Sequence, residues 1–225
     1  MGTYDQRTVR LLDSYYSPLT QELARLRQRS EENQVPLILR ETENFLVPYL
    51  RAKQPSHILE IGTAYGYSAC LFATLLPHAE VTTIERSPYM IEEAKKTLAD
   101  FSCADRIHMI EGEGSEILAR LREERREPEK RFDFLFIDAA KSHYRNFLVD
   151  SEELLTENAV IVCDNILMHG LLTGDADDPG RRHRTSKKRM FEFLDYIKRR
   201  EDLSVSLLRS GDGLAIIEFH DPTFH

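Results

Sequence analysis

Tryptophan is absent from this 225-residue sequence, cysteine occurs only three times, and no apolar run approaches eighteen residues. Cys70, Cys103 and Cys163 stand far apart with no CxxC pair, which removes both a disulfide scaffold and a thiolate zinc site. Buried thiols are what remains. Without a long apolar run there is no membrane-spanning candidate, and the opening MGTYDQRTVRLLDSYY lacks the basic, apolar, then small-residue order of a secretory signal. The expectation is a soluble, cytoplasmic protein. Repeats, low-complexity tracts and an obvious linker are also missing, which favours one domain over residues 1–225. An excess of basic charge is lacking too: 30 Lys and Arg against 38 Asp and Glu leave a net charge of −8. That balance argues against general nucleic-acid coating but leaves local phosphate-binding patches open.

What is present is enough apolar material, 41% of residues, for a full core. Residues 1–55 read as helical. In SPLTQELARLRQRSEEN, Leu19, Leu23 and Leu26 recur at helical spacing, and ETENFLVPYLRAK follows Pro36. From residue 56 to 220, short apolar runs alternate with helical stretches. The runs are HILEI (57–61), EVTTIE (80–85), RIHMI (106–110), FDFLFID (132–138) and AVIVCD (159–164). Alternation of this kind predicts right-handed crossovers and a mostly parallel sheet covered by helices on both faces. The final LSVSLLRSGDGLAIIEF reads as two antiparallel strands joined at Gly211, Asp212 and Gly213, giving seven strands in all.

Ligands of such sheets sit beyond the carboxyl ends of the strands. In EIGTAYGYS, Glu60 ends the first strand, Gly62 and Gly66 let backbone approach a ligand, and a helix starts near Ser68, where anions are favoured. The GxxxG spacing is not the GxGxxG of a dinucleotide site. Glu85 ends the second strand about twenty residues beyond that turn, where a carboxylate can take both hydroxyls of an adenosine ribose. The alternative for Glu85 is a solvated strand end. FLFIDAAKSHY stops on Asp138 with Lys141 three residues on, and VIVCDN stops on Asp164 and Asn165. Adjacent parallel strands would bring two carboxylates and an amide oxygen to one point, a hard set suited to Mg²⁺, Mn²⁺ or Ca²⁺. Helix capping is the plainer role for such aspartates, and a surface position is the plainer one for Lys141.

At these residues the sequence resembles the class I S-adenosylmethionine-dependent, cation-dependent O-methyltransferases, the group of the catechol and caffeoyl-CoA enzymes. ILEIGTAYGYSA, TIER, GEGSEIL, FIDAAKSHY, CDN and GDGLAI carry the likeness, over roughly residues 36–219. Within the group it looks most similar to the bacterial tRNA 5-hydroxyuridine methyltransferases, which form 5-methoxyuridine at the wobble position. The resemblance implies a Rossmann-like sheet with the last strand antiparallel and a helical N-terminal extension. It places Gly62, Tyr67, Ser68 and the backbone near Ile38 at the methionine end of the cofactor, with Glu60 among the cofactor contacts. Glu85 falls on the ribose, and Glu113, Gly114 and Ser115 border adenine. Asp138, beside the cofactor, joins Asp164 and Asn165 as metal ligands. Lys141, Asp138 and Asn165 take the catalytic roles, and homodimers are usual in the group.

The acceptor is the open question. Catechol and 5-hydroxyuridine both offer neighbouring oxygens, so a metal site does not separate them. GDADDPGRRHRTSKKRMFEFLDYI packs Arg181, Arg182, Arg184, Lys187, Lys188 and Arg189 into nine residues. A basic loop there would orient an anticodon stem-loop through its phosphates and favour a tRNA partner. A solvated helix start with a catechol-like or hydroxycinnamoyl acceptor is the alternative, and a non-catalytic binding module is a more distant one.

Overall fold

Strand ends are what position everything else in this molecule. The structure is a computed structural model, and it describes residues 7, 10–11, 14–172, 174 and 181–220. Seven strands form one sheet: β1 His57–Ile61, β2 Glu80–Glu85, β3 Ile107–Glu111, β4 Phe132–Ile137, β5 Leu155–Cys163, β6 Leu203–Leu208 and β7 Leu214–Phe219. Their order is β3-β2-β1-β4-β5-β7-β6. The first five pair in parallel, while β7 is inserted antiparallel between β5 and β6. Order reverses between β1 and β4, so a crevice opens there at the carboxyl ends.

Helices α1 Gln21–Glu32, α2 Arg40–Lys53, α3 Tyr67–Leu75, α4 Pro88–Ala99, α5 Gly114–Glu124, α6 Tyr144–Ser151 and α7 Arg181–Arg199 complete the described elements used below. Two of them begin on hydroxyl caps. The Thr20 hydroxyl accepts from Leu23 N at 3.2 Å, and Ser87, with Pro88 behind it in the first turn, caps α4. Two apolar layers flank the sheet. On one side α3, buried all round, sets Phe72 edge-on against Phe134 and Phe136 at 5.9 and 5.4 Å. Each such pair adds about 0.5–1.5 kcal/mol beyond burial. On the other, Tyr144 meets Phe193 of α7 edge-on at 5.8 Å.

Several boundaries differ from the sequence reading. Arg106 closes a short 3₁₀ turn rather than opening β3, and its guanidinium donates to the carbonyls of Ala73, Leu76 and Ala79. Strand β5 starts at Leu155 instead of 159, because Leu155 pairs with Phe132 across a register shift in β4. The basic run expected as a loop is helical from Arg181 onward.

Candidate active site at the strand ends

Each parallel strand hands its ladder on by one residue. Gly112 N donates to Glu85 O, Gly62 N to Ile84 O, Asp138 N to Ile61 O and Asp164 N to Ile137 O. The residues that follow β3, β1, β4 and β5 are thereby each fixed to the end of the adjoining strand. Gly62 has φ +104°, and a Cβ there would lie 2.0 Å from Asp138 O, so only glycine lets β1 and β4 meet this closely. Gly66, also left-handed, caps α3 without any side chain, leaving the first α3 amides to other partners.

A cleft of about 560 Å³ lies over these ends. Ile38, Gly62, Tyr67, Ser68, Glu85, Asp138, Lys141 and Asn165 all line it, so eight of the residues picked from sequence meet in one space. A smaller recess adjoins it, sharing Gly62, Glu85 and Asp138 and adding Glu113, Gly114, His143 and Phe147. Gly114 is needed there, because a Cβ would sit 2.6 Å from the Phe147 ring. Ser115 is exposed and lines neither space. Glu60 also fails to reach the cleft. It is fully buried beneath it, accepting from the Thr83 hydroxyl at 2.5 Å, and burial pushes its carboxyl up to about 8 against the pull of the Ser68 and Thr83 hydroxyls.

Glu85 is held for work at the surface. One carboxylate oxygen accepts from Ala64 N at 2.9 Å, the other from Arg86 N and Ser87 N at 2.9 and 2.8 Å. Those amides fix its direction. Across the cleft, the Lys141 ammonium donates to Asp138 Oδ1 at 3.1 Å, Asn165 Oδ1 at 3.0 Å and Tyr144 OH at 2.6 Å. Two of the expected ligand oxygens therefore converge on one positive centre. The third residue lies just below: Asp164 is buried, its Oδ1 accepts from Asn165 N at 2.7 Å, and its Oδ2 has no partner. Burial first, then the Asp138 charge, push its carboxyl up to about 7. Among the described residues no three His, Cys, Asp or Glu side chains are grouped to hold a metal; this trio relies on the Asn165 amide.

The loop after β5 is strained and tied down. Asn165, Met168 and His169 all have positive φ without being glycine. The buried Asp212 carboxylate, in the turn between β6 and β7, accepts from His169 N with both oxygens at 2.7 and 2.9 Å. Leu167 N and Ile166 N donate to the carbonyls of Asp212 and Gly213. His169 and Tyr144 are residues that sequence reasoning misses: a lone histidine in a loop and a tyrosine opening a helix carry no spacing signal. Of the basic run, Arg184, Lys188 and Arg189 are exposed and Lys187 is half-buried. Arg189 and Lys188 reach Glu192 at 2.9 and 3.7 Å. The side chains of Arg181 and Arg182 lie outside the described residues.

The chain is similar in sequence and fold to known proteins. A caffeoyl-CoA O-methyltransferase of Populus kitakamiensis is 29% identical over 177 residues, 76% of this chain and 73% of that one. A catechol O-methyltransferase of Mycobacterium tuberculosis is 32% identical over 135 residues, covering 60% and 59%. Among solved structures, the O-methyltransferase TomG of Streptomyces achromogenes in complex with SAM superposes with a TM-score of 0.79 at 25% identity, over 97% of this chain and all of that one. A Staphylococcus aureus protein provisionally named a caffeoyl-CoA O-methyltransferase gives 0.85 at 30% identity, over 96% and 100%. A family model described as O-methyltransferase matches residues 12–218, and the chain belongs to that family.

Proposed function

We propose that the protein transfers the methyl group of S-adenosylmethionine to an acceptor hydroxyl held at the Asp138, Lys141 and Asn165 cluster, assisted by a divalent cation. The observation that carries this is the convergence of Asp138 Oδ1 and Asn165 Oδ1 within 3.1 Å of one cationic centre, on the same cleft as Gly62 and Glu85.

The residues fit both the cofactor and the cation. For the cofactor, Gly62 lets the ends of β1 and β4 close together under the cleft, and Glu85 offers a fixed carboxylate for the two ribose hydroxyls. Ile38, Tyr67 and Ser68 would border the methionine end, and Glu113 and Gly114 the adenine. For the cation, the buried, unpartnered Asp164 Oδ2 is a costly atom to leave bare unless a positive partner comes to it. Asp138, Asp164 and Asn165 would hold it, an all-oxygen set suited to Mg²⁺ or Mn²⁺. Such a cation makes a neighbouring hydroxyl more acidic.

The protein's own part is placement and proton handling. Methyl transfer from a sulfonium is an in-line displacement, so fixing the acceptor oxygen about 3–3.5 Å from the methyl carbon supplies much of the rate. Lys141 Nζ, itself oriented by Tyr144 OH, would steer the acceptor oxygen as an ammonium donor, and only as a neutral amine would it take the hydroxyl proton, becoming the ammonium. A small hydroxylated aromatic is the first reading of the acceptor, supported by the caffeoyl-CoA and catechol activities named for the relatives. The 5-hydroxyuridine of a tRNA is the second, supported by exposed Arg184 and Lys188 at the start of α7. Removing divalent cations with a chelator should abolish transfer to either acceptor while circular dichroism stays unchanged, and added Mg²⁺ or Mn²⁺ should restore it. Full activity of Asp164→Ala in excess chelator would overturn the cation's role.

A further inference from the structure

Behind the cleft rather than in it, α1 and α2 share an ion pair that is buried at both ends. Arg27 on α1 is 4% exposed and Glu43 on α2 is 2% exposed. The Arg27 Nη2 donates to Glu43 Oε2 at 2.6 Å and to the Ile38 carbonyl at 3.1 Å, while its Nε donates to Tyr67 OH at 3.2 Å. Tyr67 OH in turn donates to Glu43 Oε2 at 2.7 Å, and Tyr16 OH donates to the same oxygen at 3.1 Å. The guanidinium also lies 4.5 Å from the centre of the Tyr67 ring.

Three points held by this one fork matter for the site. Ile38 belongs to the 36–38 segment that lines the cleft between α1 and α2, and Tyr67 opens α3 directly after the Gly66 turn. A buried charge pair is weak evidence for stability, since apolar residues of similar size often serve as well or better. Its retention calls for a reason of geometry. A planar guanidinium has enough fixed donors to hold a carboxylate, a carbonyl and a phenol at once, which neither an ammonium nor an apolar side chain does.

We infer that the Arg27–Glu43 pair is a positioning device that fixes the 36–38 wall and Tyr67 against the cofactor, so that these two residues set cofactor affinity without touching the cofactor. This rests on the reading of the cleft as the S-adenosylmethionine site. Neither residue lines the cleft, so the effect passes through Ile38 and Tyr67.

The test separates holding the fold from holding the wall. Arg27→Met alone leaves Glu43 buried without its cation and should lower the melting temperature sharply. Arg27→Met combined with Glu43→Leu removes both charges and should recover most of that loss. Calorimetry with S-adenosylmethionine should nevertheless show the double variant binding at least tenfold more weakly than wild type, with the acceptor KM unchanged. Arg27→Lys keeps the charge next to Glu43 but lacks the fork; it should melt close to wild type and bind the cofactor several-fold more weakly. Wild-type affinity in Arg27→Lys or in the double variant would overturn the inference. Failure of the wild-type protein to bind S-adenosylmethionine would instead remove the reading of the cleft itself, and the inference with it.

Discussion

Two glutamates at neighbouring strand ends show how position on a strand decides chemistry. Glu85 follows the pleat into the cleft, where three amides hold it, whereas Glu60 turns beneath the floor and is fully buried. Replacing Glu85 by alanine should weaken S-adenosylmethionine binding by about 1–3 kcal/mol, the scale of lost charge-assisted hydrogen bonds. Calorimetry checks this, and unchanged affinity would take the ribose role from Glu85. Glu60 makes a different prediction. Its carboxyl is raised to about 8 in the fold from 4.5 in the free chain, so between those values the folded state holds a proton that the unfolded chain has released. Stability contributed by this group is therefore complete below the lower value and falls as pH climbs toward the upper one. The slope approaches about 1.4 kcal/mol per pH unit inside that window. Urea unfolding from pH 5 to 8 should show the fall in wild type and a flatter profile in Glu60→Gln. Parallel profiles would mean that Glu60 is ionised where it lies. Sequence alone puts both residues at strand ends, but a two-residue pleat does not say which end side chain faces water and which faces the packed layer.

At the scale of elements, the β6–β7 turn acts as a brace for the loop after β5. Asp212 commits both carboxylate oxygens to His169 N, and its own carbonyl and that of Gly213 take Leu167 N and Ile166 N. The loop so held begins with Asn165 in a left-handed conformation, one of the two oxygens gathered at Lys141. Asp212→Ala should therefore lower kcat by roughly tenfold or more through misplacement of Asn165. Cofactor affinity should not change, since Gly62 and Glu85 belong to other strand ends. A matching loss of cofactor binding would show that the turn supports the whole cleft rather than its acceptor side. Parallel strands are legible in the sequence because buried runs such as FLFI are bounded by turn residues, and the site is legible because polar residues stop those runs. The brace is not legible: SGDG reads as a hairpin turn, and its aspartate as an ordinary turn residue. Arg27 and Glu43 are hidden for a similar reason, since charges in amphipathic helices look solvated until the partner helix is placed over them. The start of β5 at Leu155 escapes because TEN interrupts the apolar run, although the ladder resumes on its far side.

For the molecule as a whole the choice still to be made is the acceptor, and charge distribution is the lever that decides it. The protein is acidic overall, at −8, so a polyanion is repelled everywhere except at a local basic surface. Arg184, Lys187 and Lys188 in the first turns of α7 offer one such surface among the described residues, and their helical form changes what they can do. A helix presents its charges at fixed spacing, and Arg189 and Lys188 are partly drawn to Glu192, which leaves Arg184 and Lys187 as the described cations of the run without that pairing. Tyr144 packs edge-on against Phe193 of the same helix and also accepts from Lys141, so α7 packs directly on a residue that orients Lys141. Reversal of Arg184, Lys187 and Lys188 to glutamate should leave methylation of a free catechol within about twofold of wild type, because neither the oxygens nor the cofactor wall is altered. If tRNA is the acceptor, the same variant should lose most of its activity on hydroxyuridine-containing tRNA. The salt dependence of binding should flatten by about 0.7 in log–log slope for each phosphate of a single-stranded loop left without its cation, or about 2 for three. Both rates would be measured on one preparation at low and moderate salt. Equal loss on both acceptors would mark a folding defect and send the question back to α7 packing. A wild-type protein that methylates catechol and ignores tRNA would leave the basic turns as a solvated helix start and the small aromatic as the acceptor.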